Sequence, residues 1–202
     1  LHFFLLRKEA FEYLNFKAPT SLLKFKDIID FGLTATSNSL LLLHYQSNTL
    51  IEVDFNGVEF QEYQLQTDLM KNFSNAYYHT DRMSNSIQDN MRTAYKSSEN
   101  FGLTFDPYKK LLYRFGWPGE EISKDIDAVQ LSSTPPYFII SIYDESDFSL
   151  IQEFTLPRNT YLAHHYFVDE KGLNLFPMHP ENPEFNEDEM VIHTFDFSGL
   201  KK

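Results

Sequence analysis

The densest gathering of groups that could do chemistry is HPENPEFNEDEM, residues 179–190, with one histidine, four glutamates and an aspartate in twelve residues. Carboxylates at this density raise the question of calcium. That ion takes about six to eight oxygens on a tightly turned loop, normally with a glycine and alternating Asp or Asn ligands. This segment has no glycine, contains Pro180 and Pro183, and uses Glu in preference to Asp. The prolines fix φ and remove two backbone donors, as suits a defined surface connection. Phe185 is expected to pin that connection down, while Glu187, Asp188 and Glu189 discourage edge pairing beside the next strand.

The histidines pose a second question. HHYFVDEKGLNLFPMH, residues 164–179, reads as a hairpin turning at DEKG. Pairing Val168 with Leu173 sets His165 opposite Phe176 and Leu162 opposite His179. Alternation then places His164 and His179 on one sheet face, diagonal neighbours at about 7 Å. Two imidazoles so placed could begin a zinc or copper site. No third ligand can be assigned, and a slip of one residue would reverse the faces. The plainer reading is a pair of partly exposed histidines at a sheet's inner edge.

A third cluster is Trp117 with Tyr113, Arg114 and Phe115, a possible aromatic platform for sugar or peptide. Aromatic packing between sheets is the competing reading. GWPGEE lacks the lysine and spacing of a phosphate loop, and no G-x-S-x-G elbow occurs. Paired carboxylates for glycoside hydrolysis sit ~5 or ~6.5–9.5 Å apart, and with 29 acidic residues the sequence nominates no pair. No catalytic residue, metal or cofactor is therefore assigned. The candidate ligand-binding residues are Trp117, Tyr113, Arg114, His164 and His179.

The elements that would position these groups are strands. HFFLL and FEYLNF flank the polar RKEA and predict a hairpin, although Leu6, Ala10, Phe11 and Leu14 also suit one face of a helix. SLLLLHY is apolar on both faces and reads as an inner strand. TLIEVDF alternates, with Ile51, Val53 and Phe55 opposite Glu52 and Asp54. Asn56-Gly57 supplies a type I′ turn into the polar VEFQEYQL. Such a gradient, from a two-sided inner strand to a polar outer one, is that of a β-propeller blade. NFGLTFD, PYKK and LLYRFGW make another strand pair, which PYFIISIYDES and FSLIQEFTLP complete after an insertion around 116–135. MVIHTFDF is a last strand. Equivalent points recur at roughly fifty residues, in the range of propeller blades. Residues 66–100 read as an irregular insertion with one short helix near SIQDNMRTAY.

Composition bounds the rest. A chain of 202 residues with 42% hydrophobic and 23% charged residues suits one soluble globular domain. Twenty Phe and twelve Tyr lean it towards β structure. A formal charge of −12 repels phosphate backbones, so nucleic acid is not an expected partner. The absence of cysteine excludes disulfides, thiolate metal sites and a cysteine nucleophile. No apolar run approaches the ~20 residues of a membrane span, and LHFFLL is too short for a signal-peptide core. The strands suit about four blades, and since an open arc would expose unpaired edges, residues 1–202 are expected to be a propeller domain or its C-terminal part.

FGLTFDPYKKLLYRF, LIQEFTLPRNTY, FVDEKGLNL and above all HPENPEFNEDEMVIHTFDF resemble the C-terminal half of domain-of-unknown-function family 4221, a family of Bacteroidetes envelope proteins. The similarity covers most of residues 20–198. It implies an all-β, TolB-like propeller, six-bladed in the full-length protein. It also implies a bacterial envelope location, periplasmic or as an outer-membrane lipoprotein, although the lipobox cysteine is absent from this chain. No catalytic residue carries over. The expected function is a non-catalytic binding or scaffolding module whose ligand, a glycan, peptide or envelope protein, sits at a channel mouth. The alternatives are a glycan-active hydrolase or lyase using acids and a histidine at that mouth, and a calcium-stabilised structural protein.

Overall fold

The computed structural model describes residues 3–7, 10–14, 31–55, 60–74 and 86–200, and its regular structure is almost wholly antiparallel β. Strands β1 (Phe3–Arg7) and β2 (Ala10–Leu14) pair from Phe3↔Leu14 to Arg7↔Ala10. The aromatic-rich opening thus forms the expected hairpin and not the competing helix.

Three sheets follow in chain order. The first runs β3 (Phe31–Ala35), β4 (Ser39–His44), β5 (Thr49–Asp54), β6 (Phe60–Gln64). The second runs β7 (Glu99–Asp106), β8 (Leu111–Trp117), β9 (Ile139–Asp144), β10 (Leu150–Thr155). The third runs β11 (Tyr166–Asp169), β12 (Gly172–Leu175), β13 (His193–Phe195). Each is a meander in which sequence neighbours are spatial neighbours.

Burial follows the side-chain period of two. Leu41, Leu43 and Leu50 pack against Leu103, Phe105, Leu112 and Tyr143 between the first and second sheets. On the other face of the second sheet, Tyr113, Phe115, Ile140 and Ile142 meet Leu173 and Leu175 of the third. The second sheet is therefore covered on both faces, which is why all seven residues of β8 are buried. Each such Leu, Ile or Phe contributes about 1.5–3 kcal/mol by leaving water. β4 is two-sided as expected, since Leu42 faces a separate cluster with Ile51 and Val53. β6 is largely exposed. The Asn56-Gly57 turn lies outside the described residues.

One strand departs from the sequence reading. β3, FGLTA, precedes β4, so SLLLLHY is the second strand of its sheet and not the first. Gly, Thr and Ala give a weak strand signal, and Gly32 has a packing reason. A Cβ there would lie 3.3 Å from Leu103 Cβ. The absent side chain lets β3 approach β7, and Phe105 N–H donates to Thr34 Oγ1 across the junction (3.1 Å). β11 reaches β7 in turn, with Tyr166 Oη beside Gly102.

Hairpin turns in the second and third sheets are opened by aspartate. Asp106 Oδ1 accepts from the N–H groups of Tyr108 and Lys109, Asp144 Oδ1 from Ser146, and Asp169 Oδ1 from Lys171 and Gly172. Each carboxylate thereby mimics the backbone acceptor of a tight turn. Helix α1 (Ile87–Tyr95) is the short helix expected near SIQDNMRTAY, with Ser86 Oγ accepting from Asp89 N–H as its N-cap. Among the described residues no helix is long and apolar enough to cross a membrane.

Candidate functional site

Tyr113, Arg114 and Trp117 lie in the interior, with exposures of 0%, 0% and 1%. Trp117 Nε1–H donates to Tyr95 O (2.8 Å), and its ring packs on Tyr95 and Tyr137. Tyr113 donates its hydroxyl to Asp106 Oδ2 (2.8 Å), and burial together with that carboxylate pushes its pKa up. Arg114 points the other way along β8. Its Nε donates to Asn100 Oδ1 (2.6 Å), Nη1 to the Tyr143 hydroxyl (3.1 Å) and Nη2 to Asn48 Oδ1 (2.7 Å). Where the sequence suggests an open aromatic platform, the structure buries all three: Tyr113 and Arg114 at the two junctions of the second sheet, and Trp117 beneath α1 and the insertion after β8. These three side chains present no surface to a ligand.

The histidine pair is not assembled either. The β11–β12 register has Val168 opposite Leu173 as expected, but pairing stops at Tyr166↔Leu175. His164 and His179 lie beyond the ladder, so alternation no longer relates them. Pro177 cannot donate to a ladder, which accounts for the early end. His164 sits in an exposed turn with its ring edge-on to Phe101. His179 is 3% exposed. Among the described residues, no three His, Asp or Glu side chains gather as metal ligands.

His179 instead helps to line a cavity of about 470 Å³. Three segments build it. The first is the insertion after β8, where a short 3-10 helix, Gln130–Ser132, forms one wall. Helix α1 holds this wall in place, since Arg92 donates to the carbonyls of Lys124 and Ile126 and Gln88 bonds both Asp127 and the Ala128 N–H. The second segment is the corner after β10. There Asn159 adopts left-handed backbone (φ 53°) and its N–H donates to Pro136 O. The third is the turn after β12, where His179 N–H donates to Thr160 O (3.2 Å).

Two buried polar atoms on this cavity stand out. The N–H of Glu181 donates to His179 Nδ1 (3.1 Å), so Nδ1 carries the lone pair and Nε2 the hydrogen. Among the described residues, that Nε2 has no hydrogen-bond partner, and neither has Asn159 Oδ1. Both residues line the cavity, but these two atoms are closed off from it. The charged groups near its rim are differently placed. Asp127 accepts from Gln88 and from the backbone of Gln130 and Val129, which hold its carboxyl below the usual range, and Ser123 does the same for Asp125. Arg158 lies over the Tyr137 ring at 4.7 Å. Burial and the charge of Glu120 push the Tyr137 hydroxyl up to about 12.

The acidic stretch 179–190 is a run of turns. Asn182 Oδ1 accepts from Glu184 N–H and Asn186 Oδ1 from Asp188 N–H, while the five carboxylates face solvent. Phe185 is half-buried against the same corner. The sequence pointed to His179 but not to Asn159, Arg158 or Gln130. The available signal was Pro-Arg-Asn after a strand, since Asn tolerates left-handed backbone at such corners.

No protein-family model matches the chain, and no curated protein matches it. Its structure is similar to the crystal structure of a member of the DUF4221 family from Bacteroides vulgatus, with a TM-score of 0.67 at 18% sequence identity. The match covers 94% of this chain and 52% of that one, so the chain spans about half the length of the solved structure. The likeness is one of fold: this chain has the antiparallel β architecture found in a DUF4221 protein.

Proposed function

We propose that this chain is part of a six-bladed, TolB-like β-propeller of the bacterial envelope, related to the DUF4221 family, and that it serves as a non-catalytic binding module. The observation that carries the reading is the radial order of the sheets. β3, β7 and β11, each the first strand of its meander, stand side by side, and later strands step away from them. Propeller blades are arranged in this way around a channel. Three sheets and a hairpin on about half the length of the matched structure suit a ring of six. The envelope location rests on the sequence resemblance.

Binding is favoured over hydrolysis by the state of the acids at the cavity. The carboxylates of Asp125 and Asp127 are taken up by hydrogen bonds that fold the insertion, from Ser123 and from Gln88, Val129 and Gln130, which gives them a structural task in place of a catalytic one. The test is to incubate the protein with insoluble cell-wall and polysaccharide fractions, then measure both sedimented protein and released reducing ends. Co-sedimentation without new reducing ends is expected. Release of reducing ends, or failure to sediment with any fraction, overturns the reading.

A further inference from the structure

We infer that the outer edge of the third sheet is a docking site for a basic, extended segment of a partner polypeptide, which adds a fourth strand beside β13. The site stands on the third sheet alone, so it and the polysaccharide binding tested above can fail independently.

The first and second sheets carry four strands each, whereas the third stops at three among the described residues. β13 is its last strand, paired on one side with β12 from Leu173↔Phe195 to Leu175↔His193. Just before it, Met190, Val191 and Ile192 are all exposed, Met190 by 83%. No hydrogen bond ties these three to another described residue. A strand edge presents unpaired N–H and C=O groups to any chain that can lie along it. Consecutive exposed apolar residues mark an interaction site, where scattered ones would mean nothing. An added strand gains affinity from main-chain hydrogen bonds and selectivity from pockets beside the edge. One such pocket adjoins Val191 and His193. It measures about 100 Å³, with Pro177, Met178 and Phe185 as its apolar wall, and has room for one small side chain.

Charge selects the partner. Between Lys171 and Lys201 the chain carries six acids and no Lys or Arg. Glu184 and Glu189 line the pocket, and Glu187 and Asp188 lie beside them in exposed turns. Among the described residues none of these four carboxylates forms an ion pair. A second copy of this chain, with its formal charge of −12, meets like charge at this edge. Nucleic acids and anionic membrane surfaces are repelled in the same way. A strand with Lys or Arg on one face and aliphatic residues on the other meets opposite charge and the apolar run together. The acids that keep the edge from pairing with its own kind are the ones that admit a basic strand.

The experiment uses the protein expressed from its whole gene, followed by fluorescence anisotropy and by amide hydrogen exchange at residues 190–195. The basic probe is a labelled heptapeptide that alternates lysine and valine. Its counterparts are a glutamate–valine peptide, which keeps the apolar face, and heptalysine, which keeps the charge. Ile192→Lys places a like charge on the edge. Glu187→Gln combined with Glu189→Gln removes charge and leaves the apolar run. The control is Glu121→Gln, in the separate groove beside α1. The lysine–valine peptide should bind best and slow exchange at residues 190–195. Ile192→Lys should weaken it about tenfold or more, the paired Gln variant about threefold or more, and the control should stay within about twofold. All the altered side chains are exposed, and should one variant fail to fold, the other decides. Equal binding of heptalysine or of the glutamate–valine peptide, protection away from residues 190–195, unchanged affinity in the folded variants, or no binding at all overturns the inference. Slow exchange at residues 190–195 before any peptide is added also overturns it, and light scattering then tells a second copy from a strand of the protein's own chain.

Discussion

Arg114 and His179 are buried alike, with exposures of 0% and 3%, and their surroundings treat them in opposite ways. Arg114 lies on the central strand β8, and each nitrogen of its guanidinium meets a fixed acceptor. Its partner Asn100 extends the set, donating through Nδ2 to the carbonyls of His44 (2.7 Å) and Ser47 (2.8 Å). These contacts join the first sheet to the second. His179 and Asn159 lie on connections beyond the strand ends, and each leaves one polar atom unused. A satisfied polar set inside a sheet junction serves the fold, whereas the unused atoms of His179 and Asn159 hold no elements together. Burial alone does not separate the two; the hydrogen-bond inventory does.

The strongest way to break that distinction is Arg114→Met. Methionine preserves much of the side-chain length but supplies no donor, which strands Asn100 Oδ1 and Asn48 Oδ1 in the junction. Opening a buried polar network from one side costs about 3–5 kcal/mol. The expected result is a large fall in the urea midpoint with little change in m-value. A loss below ~1 kcal/mol would mean that the junction relaxes or admits water, and that the Arg114 set is not closed.

Acid should open the same set more gently. Burial lowers the His44 pKa from its ordinary 6.5 to about 4, so the folded state keeps a neutral imidazole that the unfolded chain protonates. Because the unfolded state binds the extra proton, this stability is present above pH 6.5 and is lost as pH falls towards 4. It amounts to at most ~3 kcal/mol. Unfolding free energies measured between pH 7 and 5 should fall in wild type, in a window above the titration of most carboxylates. A flat profile over that window would place His44 in water.

Much of this architecture was legible beforehand, and the reasons differ from element to element. The β1–β2 hairpin, the pairing of Val168 with Leu173 and helix α1 follow from local patterns of aromatics, turn residues and a Ser cap. β3 was not legible, because its FGLTA sequence is shaped by contact with β7, a partner some seventy residues away in sequence. The site was half legible. His179 drew notice as a histidine in an acidic stretch, but its relation to Asn159 depends on how three connections meet. Trp117, Tyr113 and Arg114 misled for a related reason. Aromatic and Arg residues mark binding surfaces and sheet junctions alike, and only the second face of β8 tells which applies.

The smallest effect expected is also the sharpest comparison, between two asparagines. Asn100 bonds through its side chain to Arg114, His44 and Ser47, whereas Asn159 Oδ1 bonds to nothing among the described residues. Asn159 already sits at φ 53°, where glycine is at least as comfortable. Asn159→Gly therefore removes no internal bond and relieves no clash. Deleting the unpartnered oxygen favours the fold and the extra freedom that glycine gives the unfolded chain opposes it, so Asn159→Gly should be neutral or mildly stabilising, within about 1 kcal/mol. Asn100→Ala, by contrast, should cost about 2–3 kcal/mol by removing the acceptor of Arg114 Nε and the side-chain donor to the carbonyls of His44 and Ser47. Parallel urea titrations of the two variants decide the matter. If Asn159→Gly proved as costly as Asn100→Ala, Oδ1 would be bonded within the fold, and the contrast between the two asparagines would fall.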